Sequence, residues 1–148
     1  WYCSVVWRFR TLLMTQQADF IDCVDLWTTI APYSKFPSQT INWRLAPAIE
    51  SGQYKIWHNE GGSCAGFVTW AWMTNEEFET RDYCGINIFQ RKIGDKLVVV
   101  DMITSKGTSS VLNFSRDIRK MFFSKFPEVK KVWSHRGPRS GVYPNKGG

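Results

Sequence analysis

The sequence has no apolar run near the roughly 18–20 residues that a membrane span requires. It has no internal repeat and no low-complexity linker. Its four cysteines, Cys3, Cys23, Cys64 and Cys84, are scattered, with no CxxC and no Cys/His ligand spacing. That argues against zinc and reads as buried thiols in a reducing cytoplasm rather than a disulfide framework. Histidine is scarce, with only His58 and His135. The chain does not open on methionine. Arg8 and Arg10 interrupt its first 13 residues, WYCSVVWRFRTLL, and no small-residue cleavage site follows, so they make a poor signal peptide. The expectation is an upstream or disordered segment over 1–13 and one domain over 14–148.

What is present is a core. At 148 residues, 43% apolar and 16% aromatic, the chain suits one globular domain and not a disordered one. Eight tryptophans must fill that core or line a groove. Charge is lopsided. From Arg116 onward nine Lys/Arg face two acids, a net of +7, while the rest carries ten against eleven, a net of −1. The basic end (Arg116, Arg119, Lys120, Lys125, Lys130, Lys131, Arg136, Arg139) is a solvated face by default. It also suits an acidic partner: carrier protein, phosphate-bearing cofactor, anionic lipid or nucleic acid.

Periodicity predicts the elements. MTQQADFIDCVDLW is helical, with Phe20, Val24 and Trp27 on one face. A second helix carries Ile41, Leu45 and Ile49, capped by Thr40 or Asn42, ending near Gly52 and bent or restarted at Pro47. QYKIWHN, EGGS and CAGFVTWAWM make a hairpin, in which Trp70 and Trp72 share a face as core or as a groove wall. NEEFETRDY is an acidic helical segment. KLVVVDMI is a uniformly apolar, central strand. TSSVLNFSRDIRKMFFSKF is the strongest helix, with Val111, Ile118, Met121 and Phe122 in its stripe and Pro127 as its stop. KKVWSH is a further strand, and the basic tail holds one edge strand. The order predicts a mixed α+β fold: a central mixed sheet flanked by helices.

In VVVDMITSKGTSS, Val98–Ser110, an apolar strand delivers Asp101 and a loop follows. A buried carboxylate must be paired, exposed or used. Lys106, Gly107, Thr108 and Ser109 then sit where loop amides and a helix N-terminus can hold a phosphate, or where they simply cap the helix.

Three stretches together carry a resemblance: LAPAIESGQY (Leu45–Tyr54), GFVTWAWMTNEE (Gly66–Glu77) and VVVDMITSKG (Val98–Gly107). Pro47, Ala48, Ile49, Gln53, Tyr54, Trp70, Ala71, Asp101, Ile103 and Gly107 stand in the order and spacing of the RTX toxin-activating lysine acyltransferases. The chain resembles that family from about Ala31 to Trp133. The resemblance implies a GNAT-like fold, an acyl-carrier-protein or acyl-CoA thioester as donor, no tightly bound cofactor, and a lysine of a protein substrate as acceptor. It implies a cytoplasmic enzyme. It makes Asp101 an active-site carboxylate beside a histidine base. A homodimer stays open, and nucleic acid is the less favoured partner.

The sequence departs from the pattern in one place. Where the family has a histidine in the loop before the Pro-Ala-Ile helix, this chain reads Ala31-Pro32-Tyr33-Ser34. Ser34 is no unaided base near neutral pH. His135, on the strand expected beside that of Asp101, is the other candidate; His58, near the hairpin turn, is expected to be exposed. The loop after Asp101 also carries Thr104-Ser105 where the family has Ala-Pro. The full GNAT pyrophosphate pattern is absent, which favours carrier-bound pantetheine over coenzyme A. Two readings follow: a lysine acyltransferase, or an inactive relative that binds a carrier, a protein or nucleic acid through its basic end.

Overall fold

The computed structural model describes residues 14–30, 35, 37–83, 86–105, 108–136 and 139–144. Helix α1 is Met14–Thr29 and α2 is Ser38–Glu50. Strands β1, Tyr54–His58, and β2, Cys64–Met73, form the hairpin. Two short helices follow, α3, Asn75–Thr80, and α4, Ile86–Gln90. Then come β3, Lys96–Thr104, α5, Thr108–Lys125, β4, Lys131–Arg136, and β5, Arg139–Pro144.

The sheet runs in the order β1-β2-β3-β4-β5, so β3 is central, as its apolar run predicts. Among the described strands only the β3–β4 pair is parallel, and α5 makes the crossover. The tail contributes the edge strand β5. The result is a mixed α+β fold, a five-stranded mixed sheet with helices on both faces, consistent with a GNAT-like fold.

On one face α1 and α2 cover Phe67 and Ile103 with Phe20, Cys23, Trp27, Ile41, Leu45 and Ile49. Val24, expected in that stripe, is only half-buried; Cys23 takes the inner position. On the other face Ile118 and Phe122 of α5 pack on Val68, Trp70, Trp72 and Leu97. Trp70 meets Phe122 edge-on and Trp72 meets Phe126 likewise. The side chain of Val111 lies outside the described residues, and Met121 is half-buried. A third cluster, Phe78, Ile88, Phe89, Val98 and Val100, roots α3 and α4. The INIFQ helix α4 is too short to show in periodicity.

Local chemistry places the turns. Helix α2 begins at Ser38, with Pro37 as N-cap and no side-chain cap, so Thr40 and Asn42 lie inside it. It runs through Pro47 without restarting. It ends in a Schellman motif: Gly52 N–H bonds Ile49 O, Gln53 N–H bonds Ala48 O, and Gly52 takes φ +77°. That motif turns Gln53 to cap Trp70 O at 2.8 Å and Tyr54 to donate to Asp19 Oδ2 at 2.5 Å. Gln16 Nε2 donates to Ile49 O at 3.0 Å, tying the start of α1 to the end of α2. Helix α3 has a capping box. Thr74 Oγ1 accepts from Glu77 N–H, and Glu77 Oε1 accepts from Thr74 N–H.

Candidate active site

Asp101 is not at a strand end, as its place in the sequence suggests. Strand β3 continues to Thr104. What sets Asp101 apart is a β-bulge. Thr69 pairs with Asp101 but Trp70 pairs with Val99, which leaves Val100 without a rung partner on β2. Leu97 and Val99 point to the α5 face. Strict alternation would send Asp101 there too. The extra residue reverses the parity, so Ile103 faces α1 and α2, and Asp101 faces α2.

There Asp101 is 6% exposed and fully engaged. Arg44 Nη2 donates to Oδ1 at 2.6 Å and Nε donates to Oδ2 at 3.1 Å, a two-pronged ion pair. Arg44 Nη2 also donates to Val100 O at 3.2 Å, holding the bulge. Asp101 N–H donates to Thr69 Oγ1 at 3.1 Å. Burial pushes the Asp101 carboxyl above its ordinary value, and the charge and hydrogen bonds of Arg44 pull it back down.

Arg44 faces a cleft of about 570 Å³, which Trp43, Arg81, Asp82 and Tyr83 also line. The guanidinium carbon lies 5.0 Å from the Tyr83 ring centre and 5.9 Å from that of Trp27. Tyr83 Oη is hydrogen-bonded to His135 Nδ1. The His135 ring stacks on Phe78 at 4.1 Å. Burial first, and then the charge of Arg81, hold the His135 imidazole below its ordinary value; Glu79 and a backbone hydrogen bond at Phe78 act the other way. Asp101, Arg44, Tyr83 and His135 thus form one contiguous line of contacts from β3 to β4.

The β3–β4 ladder has two rungs, Val98 with Trp133 and Val99 with Ser134. Beyond them the two strands no longer pair. At the last rung Ser134 Oγ is buried and has no hydrogen-bond partner among the described residues. A second hollow of about 530 Å³ is walled by Trp70, Trp72, Phe89 and Phe126, with Arg91, Lys92 and Lys125 also lining it. Trp70 and Trp72 are therefore both core and groove wall.

Not every expected residue falls in this site. Ser34, Lys106 and Gly107 lie outside the described residues, as do the side chains of Thr108 and Ser109, which open α5. His135 does sit on the strand beside that of Asp101. His58 is exposed, 3.6 Å from Asp22 on α1. It stands opposite Cys64, five residues along β2 from Thr69, roughly 17 Å at about 3.4 Å per residue. Cys23 and Cys64 are free thiols. Burial pushes both up, Cys64 to about 11, so both are protonated and unreactive near neutral pH.

Arg44 and Tyr83 escape a reading based on motifs. Arg44 carried a signal: it lies three residues after Ile41 and four before Ala48, on the buried stripe of its own helix. A cation there demands a buried carboxylate. Tyr83 carried none.

The chain thus carries a mixed sheet with one short parallel pair and a buried carboxylate turned inward at a bulge. Over residues 15–141 the sequence matches the RTX toxin acyltransferase family, and the chain belongs to that family. Membership makes it an acyltransferase that acts on a toxin protein. The comparison with curated proteins found no match. No described helix is long and apolar enough to cross a membrane.

Proposed function

We propose that this chain moves an acyl group from an acyl-carrier-protein or acyl-CoA thioester to a lysine side chain of its toxin substrate. The observation that carries the proposal is the buried Arg44–Asp101 pair, which fixes a cation on the wall of a cleft beside the place where β3 and β4 part.

The lysine amine attacks the thioester carbonyl, a tetrahedral oxyanion forms, and the C–S bond breaks to release the thiol. Both Asp101 oxygens are occupied by Arg44, so Asp101 orients the guanidinium rather than taking a proton. A fixed guanidinium stabilises the developing negative charge. With Arg81 it also disfavours a lysine ammonium in the cleft and promotes the neutral amine. The donor's pantetheine arm lies along the β3–β4 gap, where Ser134 Oγ can bond one of its amides. Its phosphate sits at Lys106, Gly107, Thr108 and Ser109, at the start of the 18-residue helix α5. Arg116, Lys120, Lys125 and Lys130 are exposed and suit an acidic carrier. The donor is a substrate, and the reaction needs no resident cofactor. The catalytic unit is 14–148, and it works in the cytoplasm, where carrier and thioester are made.

The test offers the full chain carrier protein loaded with acetyl, C8 or C14 groups, and the matching acyl-CoAs, with a lysine-rich acceptor. Acceptor mass should rise by one acyl group per modified lysine. Thiol release without any acyl-lysine would contradict the assignment of the acceptor.

A further inference from the structure

The geometry points to Tyr83 and His135 as the proton-accepting pair of this enzyme, with Tyr83 as the catalytic residue that meets the lysine amine and His135 as the positioning residue behind it. This rests on the acyl-transfer reading above and supplies the base that it lacks.

Acyl transfer to lysine releases a proton from nitrogen, and some group must take it. The two imidazoles of the chain are not equivalent. His58 is exposed and roughly 17 Å along the sheet from Asp101. His135 is half-buried and its Nδ1 is hydrogen-bonded to Tyr83 Oη. Asp101 is committed to Arg44. Among the described residues Tyr83 joins the cleft to an imidazole: it lines the cleft with Arg44 and carries His135 on its hydroxyl.

Strand β4 also puts the pair in the right place. Ser134 forms the last rung with β3, opposite Val99, whose side chain packs on the α5 face. The next residue points the other way. His135 accordingly stacks on Phe78, on the side of the cleft. One dipeptide of β4 thus serves the donor gap with Ser134 and the acceptor cleft with His135.

The proton path balances. The lysine ammonium first gives its extra proton to Tyr83 Oη, while the Tyr83 proton passes to His135 Nδ1, which becomes imidazolium. The neutral amine then bonds to the thioester carbon, the C–S bond breaks, and the thiolate takes the proton that the attacking nitrogen sheds. The imidazolium returns its proton to water. The neutral imidazole that this needs is favoured by the burial of His135 and the nearby Arg81.

The experiment measures thiol release from C14-loaded carrier protein by the full chain with two small nucleophiles. One is an N-acetyl-lysine amide, which must lose a proton. The other is hydroxylamine, which is already neutral at the working pH. Tyr83→Phe and His135→Gln should each slow the lysine reaction about a hundredfold and the hydroxylamine reaction only a few-fold. The parent should lose rate as pH falls through the titration of His135, and His135→Gln should lack that limb. Equal losses with both nucleophiles would mean a merely structural pair and would overturn the inference. So would variants with the parental rate and profile. A folded parent that releases no thiol with either nucleophile would overturn the acyl-transfer reading and the relay together.

Discussion

Arg44 and Asp101 are 57 residues apart in the chain, and Arg44 Nη2 lies 2.6 Å from Asp101 Oδ1. The pair joins α2 to the central strand at a bulge, and each partner makes the other tolerable in a buried place.

Arg44→Gln should therefore cost stability, about 3–5 kcal/mol, because it strands a buried carboxylate. The deficit should depend on pH with a definite sign. The folded-state pKa of Asp101 already lies above its ordinary 3.8, and loss of Arg44 raises it further. A raised carboxylate binds its proton more readily folded than unfolded, so stability falls as pH rises from the unfolded value through the folded one. Urea melts of Arg44→Gln should show a smaller deficit at pH 5 than at pH 8.

Ser134→Ala makes a contrasting case. It removes a buried hydroxyl that has no protein partner among the described residues, so thermal melts should show no loss and a slight gain. If that hydroxyl serves the pantetheine arm, KM for the donor should rise several-fold with little change in kcat. An unchanged KM would remove Ser134 from the donor seat.

The Thr74 capping box holds the loop that leads to Tyr83. Thr74→Ala should cost about 1 kcal/mol. Arg91 Nη1 donates to Glu77 Oε1 at 2.5 Å, and that bond holds the Glu77 carboxyl below its ordinary 4.5. The lowered value means stabilisation that is present above pH 4.5 and lost as pH falls through the folded value. Glu77→Gln should narrow the gap between melts at pH 7 and pH 3; an unchanged gap would place that acid sensitivity elsewhere.

Charge reversal on the basic face should separate the two donors. Lys120→Glu with Lys130→Glu should raise KM for acyl carrier protein several-fold and leave acyl-CoA turnover unchanged, and added salt should blunt the effect. Equal effects on both donors would contradict a carrier-docking role.

Much of this fold was legible because periodicity and turn chemistry agree. The hairpin is dictated by its strand pattern and by Gly62 at φ +87°, the central strand by its apolar run, and the long helix by its apolar stripe and by Pro127. The family motif was legible too, yet several of its residues act as scaffold. Pro47, Ala48 and Ile49 are buried, Gln53 caps Trp70, and Tyr54 grips Asp19. The bulge at Val100 could not be read, because a single extra residue leaves no mark in an all-apolar run. Without it Asp101 appears as a strand-end carboxylate. The pairing of Arg44 with Asp101 depends on that reversal of parity, and so it stayed hidden with it.

The account stands most directly on one comparison of rates. Parent, Arg44→Gln and Asp101→Asn, each confirmed folded by circular dichroism, would be given C14-loaded acyl carrier protein and a lysine-rich acceptor, and thiol release would be timed. The account predicts turnover by the parent and a loss of about a hundredfold in each variant. Folded variants that release thiol at the parental rate would contradict it.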